Sequence, residues 1–206
     1  MSGLATLPPA LMFSHFGINC TDVPRLEAFY TRVLGFAVSD KGLIDDGRKH
    51  ITFMTRRPRE HHQFVLAGGH PAGKPSTISE TGFKAPDLAE LRRIKAMLER
   101  EPEVSDIATA DHGISWTLYF RDPEKIRTSV SVETGLYAPQ PKAWPLDLAL
   151  SDGEIRCETE RRCRASAGFM ARSEWRARKE REFRADGRLT GEATPTGHAA
   201  PDFDPP

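Results

Sequence analysis

The chain has 206 residues, a length that suits one ordinary or duplicated domain followed by a tail. Its 29 Lys and Arg residues balance 29 Asp and Glu residues, so the overall charge argues against a nucleic acid or an acidic membrane as partner. The three cysteines, Cys20, Cys157 and Cys163, lack metal-ligand spacing, and we expect reduced thiols in a cytoplasmic protein. Residues 4–13 are too short an apolar stretch for a signal peptide or a membrane span.

The first predicted unit is a strand that leads into an amphipathic helix. Residues 12–19 have strand character, and Asp22 is placed to cap a helix that ends at Gly35. Apolar residues recur between them at helical spacing, at Val23, Leu26, Phe29, Tyr30, Val33 and Leu34. Three further strands are predicted at 36–39, 50–54 and 61–66.

The same order of elements returns 65 residues later, measured from Asp22 to Asp87. At this offset the apolar positions of the two helices coincide, Leu26 with Leu91, Phe29 with Ile94 and Val33 with Leu98. The second unit has a strand, a helix and three strands, predicted at 78–83, 87–100, 104–109, 112–120 and 126–133. A repeat of this length predicts an α+β fold in which two modules bury a shared core.

The predicted organisation is a duplicated domain, a helical extension and a disordered tail. These parts cover residues 10–138 (with modules at 12–68 and 76–136), 139–185 and 186–206. The extension should hold two helices, at about 151–164 and 173–184, and the first has the capping-box spacing of Ser151 and Glu154.

The last predicted strand of the second module alternates between two kinds of side chain. Ile126, Val130 and Val132 share one face. The opposite face carries polar residues, namely Arg127, Ser129, Ser131 and Glu133. One face is therefore expected to pack on helices, and the other to form the polar wall of a cavity.

Several short motifs, taken in order, resemble those of the vicinal oxygen chelate superfamily, which includes glyoxalases, bleomycin-resistance proteins and type I extradiol dioxygenases. They are His15, Phe29-Tyr30, Leu34-Gly35, His61-His62, His112-Gly113-Ile114-Ser115 and Tyr119-Phe120-Arg121-Asp122-Pro123. The two histidine motifs resemble those of the dioxygenase branch. The resemblance covers about residues 13–137 and implies two βαβββ modules whose strands curl around a metal cavity.

The resemblance also implies a metal centre of two histidines and one carboxylate that holds Fe(II) or another divalent metal. By matching position, His15 is the first ligand. Glu80 lies at the second position, where the dioxygenases have histidine, and Ser129 lies at the carboxylate position. Serine is a poor ligand for a divalent metal, and Glu133 is too far along the strand, by roughly 13 Å, to replace it. A rearranged set of His15, His62 and Glu80 would still supply two imidazoles and a carboxylate.

Three further residues resemble catalytic groups of the dioxygenases. His62 resembles the acid–base histidine, for which a pKa near neutrality is suited. His112 and Tyr119 resemble groups that lie beside the substrate ring. Plainer interpretations stay open: Glu80 is also consistent with a solvated carboxylate at a strand end, and His112 with a simple turn residue.

Two functions follow as hypotheses. The first is an extradiol ring-cleavage dioxygenase-like enzyme that acts on a catechol-type aromatic with a non-haem metal. The alternative is a metal-independent protein, of the resistance type, that binds a small aromatic molecule with Ser129 and Arg127 as polar contacts. A glyoxalase-like metal lyase is disfavoured because such a site needs four good ligands. A homodimer is expected by resemblance.

Overall fold

The computed structural model describes residues 11–188, which form two modules and a C-terminal extension. The first module consists of β1 (Phe16–Cys20), α1 (Val23–Leu34), β2 (Ala37–Ile44), β3 (Lys49–Thr55) and β4 (Phe64–Gly68). The second module consists of β5 (Thr81–Lys84), α2 (Leu88–Leu98), β6 (Ser105–Asp111), β7 (Ser115–Arg121) and β8 (Arg127–Glu133). The extension adds β9 (Leu136–Tyr137), β10 (Trp144–Pro145), α3 (Asp152–Arg164), β11 (Met170–Ala171) and α4 (Arg172–Ala185).

The two modules have the same strand topology, which confirms the predicted α+β fold and its duplication. The first sheet has the order β1-β4-β3-β2, with β1 parallel to β4 and the other pairs antiparallel. The second sheet repeats this order as β5-β8-β7-β6, with β5 parallel to β8, and β10 of the extension adds a fifth strand beside β6. Both sheets are mixed and open, and within residues 11–188 no strand ladder joins one to the other.

Local chemistry sets the helix ends where the repeat predicts them. The Asp22 carboxylate accepts a hydrogen bond from the backbone N–H of Arg25, and the Asp87 carboxylate does the same for Glu90. Gly35 ends α1 with φ of 66°, a left-handed conformation that glycine adopts without steric cost. Two equivalent caps 65 residues apart explain why both helices begin at the same place in their modules.

One hydrophobic core lies between the helices and the sheets and is shared by the modules. Tyr30 of α1 packs edge-on against Phe64 of β4, with ring centroids 4.7 Å apart, and also contacts Phe83 of the second module at 6.4 Å. Phe29 lies 6.3 Å from Phe120 of β7. Because aromatic side chains of both modules interdigitate, the modules form a single packed unit.

The extension is held to the second module by pairing and packing. Ser151 and Glu154 form the predicted capping box at the start of α3, and Ile155 of that helix is buried. α4 buries none of its residues but is held by Trp175, whose ring stacks on Tyr137 at 5.4 Å. The domain boundaries stay a prediction, and most of the predicted disordered tail, residues 189–206, lies outside the described residues.

Several strands differ from their predicted bounds: β1, β5 and β7 begin three or four residues later than predicted, and β2 and β4 differ as follows. β2 runs to Ile44 rather than ending near residue 39, because it pairs with β3 as far as the hairpin turn at 45–47. Most side chains of β2 are exposed, so the sequence lacks the regular alternation of apolar and polar residues that would have predicted its full length. The strand expected at 61–66 begins only at Phe64, whose partner in β3 is Met54. Gln63, directly before it, donates its backbone N–H to the Met54 carbonyl and accepts the Arg56 N–H with its side chain. Within residues 11–188 no helix is long and apolar enough to cross a membrane.

Candidate functional site

The face of the second sheet opposite α2 carries four of the predicted site residues, and we call these residues, Glu80, Tyr119, Arg127 and Ser129, the polar face. Tyr119 of β7 lies directly across from Ser129 of β8 in the antiparallel register. Glu80 immediately precedes β5, and β5 pairs with β8 in parallel. The predicted alternation of β8 therefore places its polar side chains beside those of β7 and β5, away from the core.

Both carboxylate oxygens of Glu80 have partners within this face. The Ser129 hydroxyl donates to Oε1 over 2.6 Å, and the Arg127 guanidinium Nε lies 3.2 Å from Oε2. Gly82 leaves room for this contact, since a Cβ atom at that position would lie 3.3 Å from the Ser129 Oγ. Glu80, the residue expected as the second metal ligand, is thus hydrogen-bonded to Ser129 at the third ligand position and ion-paired with Arg127.

Tyr119 links the polar face to His112. The Tyr119 Oη lies 2.7 Å from the His112 Nε2, and the Arg127 guanidinium carbon lies 4.1 Å from the centre of the Tyr119 ring. Burial raises the pKa of the Tyr119 phenol, and the charge of Glu80 raises it further, whereas Arg127 opposes both effects. A protonated phenol, an imidazole and a guanidinium therefore lie within one contact chain.

The first module brings three histidines together beside the N-terminal ends of β1 and β4. The rings of His15 and His62 lie 4.3 Å apart, and the Nδ1 atoms of His61 and His62 lie 2.9 Å apart. His61 Nε2 contacts the Asp40 carboxylate at 2.7 Å, and Phe53 packs against both members of the His61-His62 pair. Partial burial lowers the pKa of His62, and the charges of His15 and His61 lower it further.

The donors that the structure brings together do not fit a three-ligand metal centre. Among residues 11–188, no group of three His, Cys, Asp or Glu side chains could hold a metal ion. His15 and His62 are neighbours, but within the same described range no hydrogen bond, ion pair or ring contact connects them to Glu80, which is engaged by Ser129 and Arg127. The metal roles of His15 and Glu80 stay predictions.

Two cavities lie away from all of these residues. One of about 380 Å³ lies between the start of α1 and the β2–β3 hairpin, where Glu27, Lys41 and Thr52 form its polar wall. The other, of about 140 Å³, lies between α3 and the end of β6. Neither cavity is lined by one of the predicted site residues.

Sequence reasoning missed two partners of the predicted residues. Asp40, which contacts His61, follows no motif and lies in the part of β2 that the alternation did not reveal. The backbone carbonyl of Lys142, which contacts His112 Nδ1, carries no signal in the sequence because every residue has such a group. Both partners come from segments that only the fold brings close.

Comparison with known proteins gives the family of this chain. The family model of the glyoxalase/bleomycin resistance protein/dioxygenase superfamily matches residues 12–130. The chain belongs to this superfamily. A curated relative, biphenyl-2,3-diol 1,2-dioxygenase 3 from Rhodococcus globerulus, is 29% identical over 125 residues, which cover 58% of this chain and 60% of the relative. The match thus spans about three fifths of that protein's length.

Solved structures of the superfamily are similar at low sequence identity. A glyoxylase/bleomycin resistance protein/dioxygenase domain from Frankia sp. EAN1pec matches with 17% identity and a TM-score of 0.49, over 58% of this chain and 95% of that chain. A lactoylglutathione lyase from Agrobacterium tumefaciens matches with 20% identity and a TM-score of 0.43, over 61% and 95% of the two chains.

Proposed function

We propose that this superfamily member binds a small polar aromatic molecule against the polar face of its second sheet, without a metal held by its own side chains. The observation that carries the proposal is the Glu80 carboxylate, whose two oxygens are engaged by the Ser129 hydroxyl at 2.6 Å and Arg127 Nε at 3.2 Å. A metal would have to displace Arg127, and it would gain no carboxylate from Ser129 in return.

The chemistry of the face suits an aromatic ligand with an oxygen substituent. Arg127 is about half exposed and uses Nε for Glu80, and its guanidinium, which lies over the Tyr119 ring, is accessible to a phenolate or carboxylate. The half-buried Tyr119 ring and its hydroxyl give an apolar surface beside a hydrogen-bonding group. These groups bind and orient a ligand, and none of them needs a metal to do so.

The test is a titration of chelator-treated, full-length protein with 4-hydroxybenzoate and with catechol, followed by nuclear magnetic resonance. Binding should survive removal of metal and should weaken at least about tenfold in Arg127→Ala, because a charge-assisted contact is lost. Arg161→Ala is the matched control, since it removes the same charge from the exposed face of α3, where Arg161 pairs with Glu158. Binding that disappears with the chelator, or that is equally weak in both variants, contradicts the proposal.

A second candidate is the extradiol ring-cleavage dioxygenase acting on a catechol-type aromatic. It is supported by the 29% identity with biphenyl-2,3-diol 1,2-dioxygenase 3 and by the contact between His15 and His62. Iron would supply oxygen activation, and His62 would handle a ligand proton. Metal analysis of the purified protein and of His15→Ala, with oxygen uptake on a panel of catechols after iron addition, tests it. Near-stoichiometric iron that the variant loses, together with oxygen uptake, would favour it over the metal-independent proposal.

A small-molecule partner, a homodimer and a cytoplasmic location complete the proposal, with no role for nucleic acid or membrane. The exposed apolar side chains of Leu43 and Ile44 on the edge strand β2 support self-association. Light scattering of the full chain measures its mass in solution, and a monomer at micromolar concentration contradicts the homodimer.

A further inference from the structure

The turn that carries His112 is held in place by contacts with the C-terminal extension. This turn, residues 111–113, starts at the last residue of β6 and leads to β7. Besides Thr134, which donates to the Gly113 carbonyl, the residues that hold it come from 140–163, and all of them lie beyond the part of the chain that the family model matches. Each of its three residues has its own contact with the extension. The contacts are made by a hydroxyl, a backbone carbonyl, an amide and two packed side chains.

Asp111 and Gly113 fix the two ends of the turn. The Thr159 hydroxyl of α3 donates to the buried Asp111 carboxylate over 2.9 Å, and that carboxylate accepts the Gly113 N–H over 2.7 Å. Gly113, with φ of 74°, lies against Cys163 and Trp144, so that a Cβ atom there would be 2.8 Å from the Cys163 Sγ. The extension therefore packs directly on the backbone of the turn.

His112 is held from both its backbone and its ring. The Gln140 amide donates to the His112 carbonyl oxygen over 2.7 Å, and the ring Nδ1 contacts the carbonyl oxygen of Lys142. A carbonyl oxygen only accepts, so Nδ1 must carry the proton in this contact. In the neutral imidazole the lone pair is then on Nε2, and the Tyr119 hydroxyl, 2.7 Å away, is the donor to it.

This assignment of protons, with Nδ1 of His112 protonated and the Tyr119 hydroxyl donating to Nε2, determines which hydrogen bond Tyr119 can make with a ligand. The phenol has one hydrogen, and His112 receives it, so the Tyr119 oxygen has only lone pairs for other groups, and the side chains of Arg127 and Thr117 are placed to donate to them. A ligand group that contacts this oxygen must therefore be a hydrogen-bond donor. A methyl ether has no hydrogen to donate to this oxygen, so a ligand that carries one in place of a hydroxyl loses a hydrogen bond and binds more weakly.

We infer that the extension sets the direction of the hydrogen-bond chain from Tyr119 through His112 to the Lys142 carbonyl, and thereby selects aromatic ligands that present a hydroxyl to Tyr119. Residues of the extension are in this sense positioning residues, which act on the ligand through His112. The selection of ligands rests on the proposed function, whereas the proton order does not.

The proton order is tested without any ligand, by nitrogen-15 resonance of the His112 ring in the full-length protein at alkaline pH. The expected result is a proton on Nδ1 and none on Nε2, with the Nε2 signal shifted in Tyr119→Phe. A proton on Nε2, or an equal mixture of the two tautomers, overturns the inference.

The role of the extension is tested by removing its side-chain anchors with Gln140→Ala and Thr159→Val together. The double variant should show a mixture of tautomers, whereas Cys157→Ala, at an exposed cysteine of the same helix, should match the wild type. An unchanged tautomer in a folded double variant overturns the positioning role. If the double variant does not fold, Gln140→Ala alone, at an exposed side chain, is subject to the same two outcomes.

Ligand selection is tested with 4-hydroxybenzoate and 4-methoxybenzoate, in which a methyl group replaces the hydrogen of the phenolic oxygen. The hydroxyl compound should bind about tenfold more tightly, and the preference should disappear in Tyr119→Phe. Equal binding of the two compounds to the wild type overturns the selection of ligands. Binding of neither benzoate overturns the selection of ligands, and if catechol does not bind either, the proposed function is overturned with it, while the ring-nitrogen measurement still decides the proton order.

Discussion

The hydroxyl of Tyr30 donates a hydrogen bond of 3.0 Å to the Asp122 carboxylate, and both side chains are fully buried. Tyr30 lies in α1 of the first module, and Asp122 follows β7 of the second. The other carboxylate oxygen accepts the backbone N–H groups of Glu124 and Ile126, both over 2.9 Å. A single carboxyl group thus shapes the turn before β8 and connects it to the opposite module.

Replacing Tyr30 by phenylalanine should destabilise the protein by about 1–3 kcal/mol, because a buried carboxylate loses a donor that no other group replaces. Urea unfolding followed by circular dichroism measures the change. Tyr137→Phe is the control: among the described residues the Tyr137 hydroxyl has no hydrogen bond, and its ring stacks on Trp175. A free energy of unfolding that falls equally in both variants would show that the bond to Asp122 contributes nothing specific.

Asp122 should make stability decrease as the pH rises through the weakly acidic range. Burial raises the pKa of this carboxyl from 3.8 to about 6, against the lowering effect of its hydrogen bonds to Ile126, Tyr30 and Glu124. Between these values the folded state binds more protons than the unfolded state, so the contribution is fully present below pH 4 and is lost above pH 6. A difference of about two pKa units corresponds to about 3 kcal/mol.

The comparison with Asp122→Asn isolates this contribution, since the amide cannot titrate. The difference in unfolding free energy between wild type and variant, measured by urea at pH 4 and at pH 7, should move in favour of the variant at the higher pH. The same difference at both pH values would mean that the folded-state pKa of Asp122 is not raised.

Gly113→Ala should destabilise the protein by roughly 1–3 kcal/mol, since its Cβ would meet Cys163 and Trp144 and its backbone is left-handed. Gly153→Ala is the matched change, because a Cβ there has nothing within 4 Å and lies in the first turn of α3. It should be neutral or should stabilise by up to about 1 kcal/mol. Thermal unfolding of the two variants is the measurement. A loss of stability in Gly113→Ala alone supports the close packing at residue 113, whereas an equal loss in both variants contradicts it.

His15→Ala should raise the pKa of His62. Burial first, and the charges of His15 and His61 second, hold the His62 pKa below its usual value of 6.5. The substitution exposes the ring and removes one of these charges, and both effects favour the protonated form. Proton resonance of the His62 ring against pH measures the shift, with His50→Ala as a control in exposed β3. A His62 pKa that stays the same or falls contradicts the contact seen between the two rings.

Much of the fold was predictable because its determinants are local. The apolar stripe of α1 and its repeat in α2 follow from spacing, and Asp22 and Asp87 cap the two helices through side chains three residues from their partners. The bounds of β2 and β4 were less predictable. Cross-strand pairing extends β2 to its hairpin, and the pairing of β4 with β3 begins only at Phe64.

The sequence by itself determined the two modules, the family and the types of side chain that face outward from β8, because periodicity, caps and short motifs are properties of neighbouring residues. Only the tertiary structure decided the partners of those side chains. Glu80 meets Ser129 across 49 positions of the chain, and His112 meets the Lys142 carbonyl across 30. Such contacts depend on strand register and on where the extension packs. A contact with a backbone carbonyl cannot be predicted from residue identity, because every residue has such a group.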